Sequence, residues 1–555
     1  MTPPRRRLAA LLVAAATATL VLWPGILSPR TALIGHESLD VWSHAWGQHW
    51  FVSELARGRL PWTVTGAAWP AERVHWFIDP LGALLTAPLQ LLHPALAYNG
   101  LLFVEVAALS LCGHAWGRSL GGRGWLAGAA LATLPLIQGE LHNGVSEAVW
   151  LAPVALSGAL AARGSRWTGA AVGVSLALTP YHGIGAALLV AAVTLMGGPP
   201  GAADPPPWPR RLGRLALAAA LAAAVAAPFL VTLREAVSST LAFVNRPFSA
   251  GWSWPSLYSN AIDPRALVAP GDFWSVPGDD GPLSAHWRRT PYLGLGLLAC
   301  AGVGLARAPR AWPVAAAAVA LVVATLGHFL FFDGSWVQTP AGGKYQLPLG
   351  IITESLHLNL GHPMRFAGAA SVALAGLADR GVGRLGALFA PLVVVEHLLL
   401  APAAWPIATS PAGLPPVHQG LPDDGRAVID LPADYGYGMR TDRYLYWNAL
   451  HGRPVPWNNR VGSTGTASMN DALRSMVLLG RERPMTPGSP GVPAADADLD
   501  AALAELSRAG LGWVVLHPDL ARDDGVLRTH KAALTALLGP GEARDGAWVW
   551  AVPPP

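Results

Sequence analysis

Two clusters and a few scattered groups in this chain have the residue types for proton transfer or anion binding. The first cluster is His36-Glu37-Ser38-Leu39-Asp40-Val41-Trp42-Ser43-His44. Written on a helix, His36, Glu37, Asp40 and His44 fall at i, i+1, i+4 and i+8 and share one face, with Leu39, Trp42 and Trp46 on the other. A carboxylate held against a partly dry surface suits a general base, because desolvation raises its proton affinity. Asp40 and Glu37 are therefore the candidate catalytic groups, with His44 beside them. The same imidazoles and carboxylates could hold a divalent metal, although their spacing is not diagnostic of one. A purely structural alternative is an amphipathic helix whose polar side is solvated.

The second cluster, Gln138–Glu147, sets Glu140, His142 and Glu147 around a Gly-flanked turn between two apolar runs. Ionisable groups at such a place are costly and usually have a task or a partner, although Asn143 and Ser146 could simply cap the following helix. His182, in Thr179-Pro180-Tyr181-His182-Gly183, gains interest only by opening at the same side. Arg365 opens an apolar run after His362-Pro363-Met364. Its guanidinium could grip a phosphate through forked hydrogen bonds or snorkel to the headgroups. Lys344 and Arg246 are weaker companions. Glu105 and Glu396-His397 lie well inside apolar runs, as a proton pathway or a buried pair between helices would require.

The elements that position these groups are read from composition. The 555 residues are 52% hydrophobic and only 13% charged, where a soluble domain carries about 25% charged residues. The mean hydropathy is +0.36. Much of the chain must therefore be solvated by lipid. The net charge of +4 does not indicate nucleic acid, because the arginines stand at the ends of apolar runs rather than in a stripe. Arg5–Arg7, Arg118/Arg123, Arg163/Arg166, Arg210/Arg211/Arg214, Arg307/Arg310 and Arg380/Arg384 alternate with the acid- and imidazole-bearing segments. That alternation fits the positive-inside tendency. Cys112 and Cys300, the only cysteines, both fall in apolar runs, so neither a disulfide framework nor a cysteine metal site is expected.

By the length rule, about eleven membrane helices are expected, near 8–27, 97–117, 124–138, 145–162, 167–179, 183–196, 215–233, 291–306, 312–332, 364–379 and 385–402. The first is read as an uncleaved span rather than a removed signal. The fold expected is mainly α, a polytopic helical bundle over 1–405 with external loops at about 28–96, 234–290 and 333–363. A small extracytoplasmic α/β domain follows over 410–555. Within the first loop, Leu81–Leu92 is too short to span and should lie in the interface. Trp252, Trp254, Trp274 and Trp287 in the second loop suit headgroup depth. Strands are expected at Ala427–Leu431, Trp513–His517 and Trp548–Val552, with helices near 497–509 and 530–538. The N-terminus is placed in the cytoplasm of a bacterial inner membrane and the C-terminal domain outside. Nucleotide-binding glycine fingerprints and the H-E-x-x-H metal motif are not found.

Asp40-Val41-Trp42 after a short first helix, and Leu81–Leu92 leading into Ala97-Tyr98-Asn99, resemble the GT-C class of integral membrane glycosyltransferases. Gly139-Glu140-Leu141-His142, Pro363-Met364-Arg365-Phe366 and Leu450-His451-Gly452-Arg453-Pro454-Val455 are similar to segments of its poorly characterised bacterial branch. The resemblance implies a polyprenyl-phosphate-linked sugar as donor and an envelope glycan, lipid or protein as acceptor. It implies Asp40 as base on the acceptor and Arg365 on the phosphate. On chemical grounds, Glu140, His142 and Glu147 orienting sugar or acceptor would complete an adequate set. Glu37 and Asp40 are not adjacent, which departs from the paired acids of better-known members. Two other readings fit parts of the sequence. One is a transporter or lipid flippase using Glu105 and Glu396, and the other is a non-catalytic scaffold of the same layout.

Overall fold

The chain is described by a computed structural model covering residues 3–61, 63–64, 66–67, 69, 74–75, 79–197, 206–238, 262–269, 291–333, 335–356, 360–432, 439–456, 499–521 and 524–554. Arg246 and the tryptophans of the second loop lie outside these residues.

Each expected apolar run folds as a helix or a broken pair of helices. Pro3–Val21 is followed by Pro94–Ser119, whose Pro stands at the first helical position, where its missing N–H costs nothing. The next two runs are both broken. Trp125–Ala132 and Pro135–Asn143 are separated by Thr133-Leu134, and Ser146–Val149 and Ala152–Ala162 by Trp150-Leu151. Thr168–Leu178 and Pro180–Met196 pack against each other across one extended residue, Thr179 (φ −158°, ψ 143°). A Cβ on Gly183 would stand 2.7 Å from Leu176 Cα, so the tight reversal needs glycine there. Trp208–Ser238, Leu295–Arg307, Trp312–Thr325, Phe366–Val382 and Gly386–Leu400 complete the bundle. By length and composition, Pro94–Ser119, Trp208–Thr232 and Pro363–Leu400 could each cross a membrane, and the remaining apolar helices are shorter. Large apolar side chains such as Leu12, Leu217, Val319, Leu388 and Leu399 are more than half exposed, as a lipid-facing surface requires.

The arginine-bearing end is tied together by one carboxylate. Asp379, buried in the Phe366–Val382 helix, accepts from the backbone N–H groups of Gly124 (2.6 Å) and Leu126 (3.0 Å) and so satisfies the start of the Trp125–Ala132 helix. Arg380 donates to the Leu120 carbonyl at 2.7 Å. Trp116, fully buried, donates to the Val372 carbonyl at 2.7 Å and locks the 94–119 helix to the 366–382 helix.

At the other end the first loop is built into the molecule. Strand Ala32–Ile34 pairs antiparallel with Thr409–Pro411, which follows the last helix. Asn99 holds this strand with both ends of its amide, accepting from Ile34 N (3.0 Å) and donating to Ala32 O (2.7 Å). The Leu81–Leu92 segment forms two short helices, Pro80–Leu85 and Ala87–Gln90, with Leu84, Leu85, Leu91 and Leu92 exposed. That apolar face suits the interface.

The C-terminal part is α/β. Its four-stranded sheet runs in the order Ala427–Leu431, Leu511–Leu516, Ala547–Ala551, Glu542–Arg544, parallel in the first pair and antiparallel thereafter. Helices Leu499–Arg508 and Asp524–Leu538 belong to this part. Helix Met439–His451 packs on helix Val41–Ala56, with Trp46 Nε1 donating to Asn448 Oδ1 at 2.9 Å.

Candidate active site

Four segments distant in sequence meet at the end of the bundle opposite Asp379. His36 N donates to the His142 carbonyl (2.8 Å), His182 Nε2 lies 3.1 Å from the Ala148 carbonyl, and His362 N donates to Tyr181 Oη (2.8 Å). Gly144 makes this junction close. Its φ of +84° lies in the left-handed region, and a Cβ there would collide with the Val41 backbone. The Gly144 carbonyl is held by Tyr98 Oη at 2.9 Å.

Within the junction, His44 Nδ1 lies 3.1 Å from Glu147 Oε2, with both side chains largely buried. Burial alone would lower the His44 pKa. The Glu147 carboxylate, with Asp40 and Asp79 behind it, outweighs that and raises it. Arg365 grips Glu140 in a fork, Nε to Oε1 at 2.9 Å and Nη2 to Oε2 at 3.4 Å, with Glu140 only 2% exposed. The guanidinium also lies over the Tyr181 ring at 6.0 Å. The structure thus brings together His44, Glu140, Glu147, His182 and Arg365, with Asp40 close enough to act electrostatically on His44. His142 stands at the edge, its ring 5.1 Å from that of His36. Lys344 does not join them through any described contact. It lies over Trp336, 4.9 Å from the ring centroid, in the 331–347 loop.

The first cluster is not the single helical face its spacing suggested. The helix begins at Val41, Asp40 occupies its N-cap position, and 36–39 form a turn in which Leu39 N bonds to the His36 carbonyl. Gly35 (φ +138°) and the bond from His36 to the 142 carbonyl take the chain out of helical register there. Glu37 consequently faces outward and pairs with Arg443 of the Met439–His451 helix. With Glu37 on Arg443 and His36 on His142, the quartet His36/Glu37/Asp40/His44 does not form a metal cage. Among the described residues, the set that gathers ligand atoms is His418, Asp430 and His517 instead.

Two site residues escaped sequence reasoning. Asp79 is 4% exposed and accepts from Ser146 Oγ (2.7 Å), Gln48 Nε2 (3.1 Å) and Gly82 N (2.9 Å). Burial, helped by the Glu147 carboxylate, pushes its pKa up to about 6. Its φ of +34° is unusual outside glycine and marks a constrained carboxylate. The Asp79-Pro80 pair was a visible helix-start signal, but it carried no hint of burial. Asp442, on the C-terminal helix, is also buried. Desolvation, and then the Asp40 charge, push its pKa up to about 8.

Of the two deep acids, Glu105 is buried with neither carboxylate oxygen hydrogen-bonded among the described residues, whereas Glu396 has structural partners. Glu396 accepts from Tyr292 Oη (2.6 Å), Leu295 N (2.5 Å) and Gly296 N (2.9 Å), capping the Leu295–Arg307 helix. His397 Nδ1 lies 3.3 Å from Thr133 Oγ1.

No family model matches this chain, and no curated protein does. Solved structures similar to it include the apo oligosaccharyltransferase of Archaeoglobus fulgidus, at 12% identity and a TM-score of 0.46 over 92% of this chain and 69% of that one. The same archaeal enzyme in complex with an inhibitory peptide and a dolichol-phosphate gives 13% identity and 0.46 over 92% and 69%. ArnT from Cupriavidus metallidurans bound to undecaprenyl phosphate gives 15% identity and 0.45 over 100% and 99%.

Proposed function

We propose that this chain is an integral membrane glycosyltransferase. It would move a sugar from a polyprenyl-phosphate donor to an envelope acceptor on the extracytoplasmic side, with the N-terminus cytoplasmic. The observation that carries this reading is the convergence of a buried guanidinium, a His–carboxylate pair and a partly exposed acid at one end of an otherwise apolar bundle. Such a place admits a lipid from the side and a hydroxyl from water.

Each group has a task in that reaction. Asp40 is half-buried, and no described hydrogen bond engages its carboxylate, so it is open to accept the acceptor's hydroxyl proton. The acceptor oxygen bonds to the anomeric carbon as the bond from that carbon to the phosphate oxygen breaks. The polyprenyl phosphate leaves with the electron pair and needs a cation near it. Arg365 supplies that cation, since its described bonds to Glu140 use only Nε and Nη2. His44, whose charged form Glu147 favours, is a second group able to carry positive charge. Asp79, fixed by Ser146 and Gln48, lies behind the His44–Glu147 pair and favours the charged imidazole. The capping of Glu396 weighs against the transport reading, because its carboxylate is committed to a helix end.

The test is a panel of polyprenyl-phosphate sugars offered to purified protein with envelope acceptor fractions. Release of free polyprenyl phosphate coupled to acceptor glycosylation is expected for one donor. Folded protein that releases none from any donor, or that instead scrambles labelled lipid in vesicles dependent on Glu105 or Glu396, contradicts the reading.

A further inference from the structure

The C-terminal sheet carries a cluster that the proposed chemistry does not use. Asp430 lies in strand Ala427–Leu431, and His517 directly follows the parallel strand Leu511–Leu516. His418 stands on the short helix Pro416–Gln419. All three are buried, Asp430 completely, and one ligand atom from each lies within 4.8 Å of the others. Asp430 Oδ1 is 2.8 Å from His517 Nε2 and 3.1 Å from His418 Nε2. The first contact is aligned as a hydrogen bond and the second is not. Both ring nitrogens of His418 and Asp430 Oδ2 are buried without a hydrogen-bond partner. His451, stacked on His418 with ring centroids 5.0 Å apart, accepts from Arg453 N through Nδ1 (3.0 Å) and leaves its own Nε2 buried and unpartnered.

Buried polar atoms almost always have partners, so four orphans around one carboxylate call for a missing group. We propose that His418 Nε2, His517 Nε2 and Asp430 Oδ1 bind a divalent transition metal of the zinc class. Two imidazoles with one carboxylate favour such an ion over calcium or magnesium, which take oxygen ligands. Around a tetrahedral zinc with bonds of about 2.0–2.1 Å, ligand atoms stand roughly 3.3–3.4 Å apart. The observed 2.8 and 3.1 Å therefore need to open by roughly 0.5 and 0.3 Å to admit the ion. His451 Nε2 or a water completes the shell. The ion would fasten the 416–419 helix to the two parallel strands. Through His451 it would steady the helix that carries Asp442 and Arg443 to the first loop. This assignment does not depend on the glycosyltransferase reading.

The test uses the full chain in detergent, purified without a histidine tag, stripped with chelator and titrated with Co2+ and then Zn2+. About one equivalent of Co2+ is expected to bind with visible ligand-field absorption and to be displaced by Zn2+. Asp430→Asn and His517→Gln should bind Co2+ at least about 100-fold more weakly, while Asp40→Asn keeps the bands. Zn2+ should also raise the apparent Tm of the stripped wild type. Folded wild type that binds Co2+ no better than Asp430→Asn would overturn the proposal and leave a buried His–Asp–His cluster only. Should the variants misfold, the wild type alone decides. Bound metal with nitrogen and oxygen but no sulfur ligands by X-ray absorption supports the site, and a chain that takes up no Co2+ removes it.

Discussion

Arg365 and Glu140 form the buried ion pair on which the site's charge balance rests, with exposures of 13% and 2%. Removing one partner strands the other in a dry place, so Arg365→Met should destabilise the protein by about 3–5 kcal/mol, read as a fall in apparent Tm. Arg365→Met combined with Glu140→Met should recover most of that stability. It should not recover donor turnover, because the phosphate then lacks its cation. Asp442 gives a pH signature. Its folded pKa of about 8 stands above the ordinary value of 3.8, so its contribution is present below the ordinary value and lost as pH rises through 8. The apparent Tm of the wild type should fall between about pH 4 and 8, and Asp442→Asn should flatten that slope. The raised His44 pKa acts in the same direction, so some slope should remain in the variant.

The site depends on how helix ends meet, and here glycine matters as much as charge. Gly144→Ala would force a side chain into the Val41 backbone at a positive φ, and its apparent Tm should drop more than that of Ser146→Ala. Ser146→Ala removes one donor from buried Asp79 and should cost about 1–3 kcal/mol. A Ser146→Ala loss exceeding that of Gly144→Ala in thermal melts would show that the junction is set by polar contacts instead. These helix ends were only partly legible in the sequence. The Glu140/His142/Glu147 turn and Arg365 were marked by charge in apolar surroundings. The 36–44 segment was misread because its spacing fits a helix, while the backbone bond to His142 that breaks the helix is a tertiary effect. Asp79 was invisible for a similar reason, since its burial comes from Gln48 and Ser146 closing over it.

At the scale of the molecule, hydropathy carried the bundle, because lipid leaves no alternative to helices for apolar runs of that length. Its breaks at 133–134 and 150–151 come from Pro135 and Pro153, which the run lengths alone did not register. The His418/Asp430/His517 cluster was missed because it joins a helix and two strands across a hundred residues, with no short spacing to read. The proposed orientation rests on the arginine-bearing turns. Glu542→Cys, on an exposed strand of the C-terminal sheet, should react with an impermeant thiol reagent in intact cells stripped of their outer layers. Labelling only after lysis would place that sheet in the cytoplasm and remove the extracytoplasmic site.

The most direct measurement is the ratio of sugar-transfer rates between wild type and Asp40→Asn on the donor that wild type accepts, both proteins being equally folded. Loss of a general base predicts a fall of about 100-fold or more. Equal rates in the two proteins would contradict the assignment of Asp40 and, with it, the reaction argued for this site.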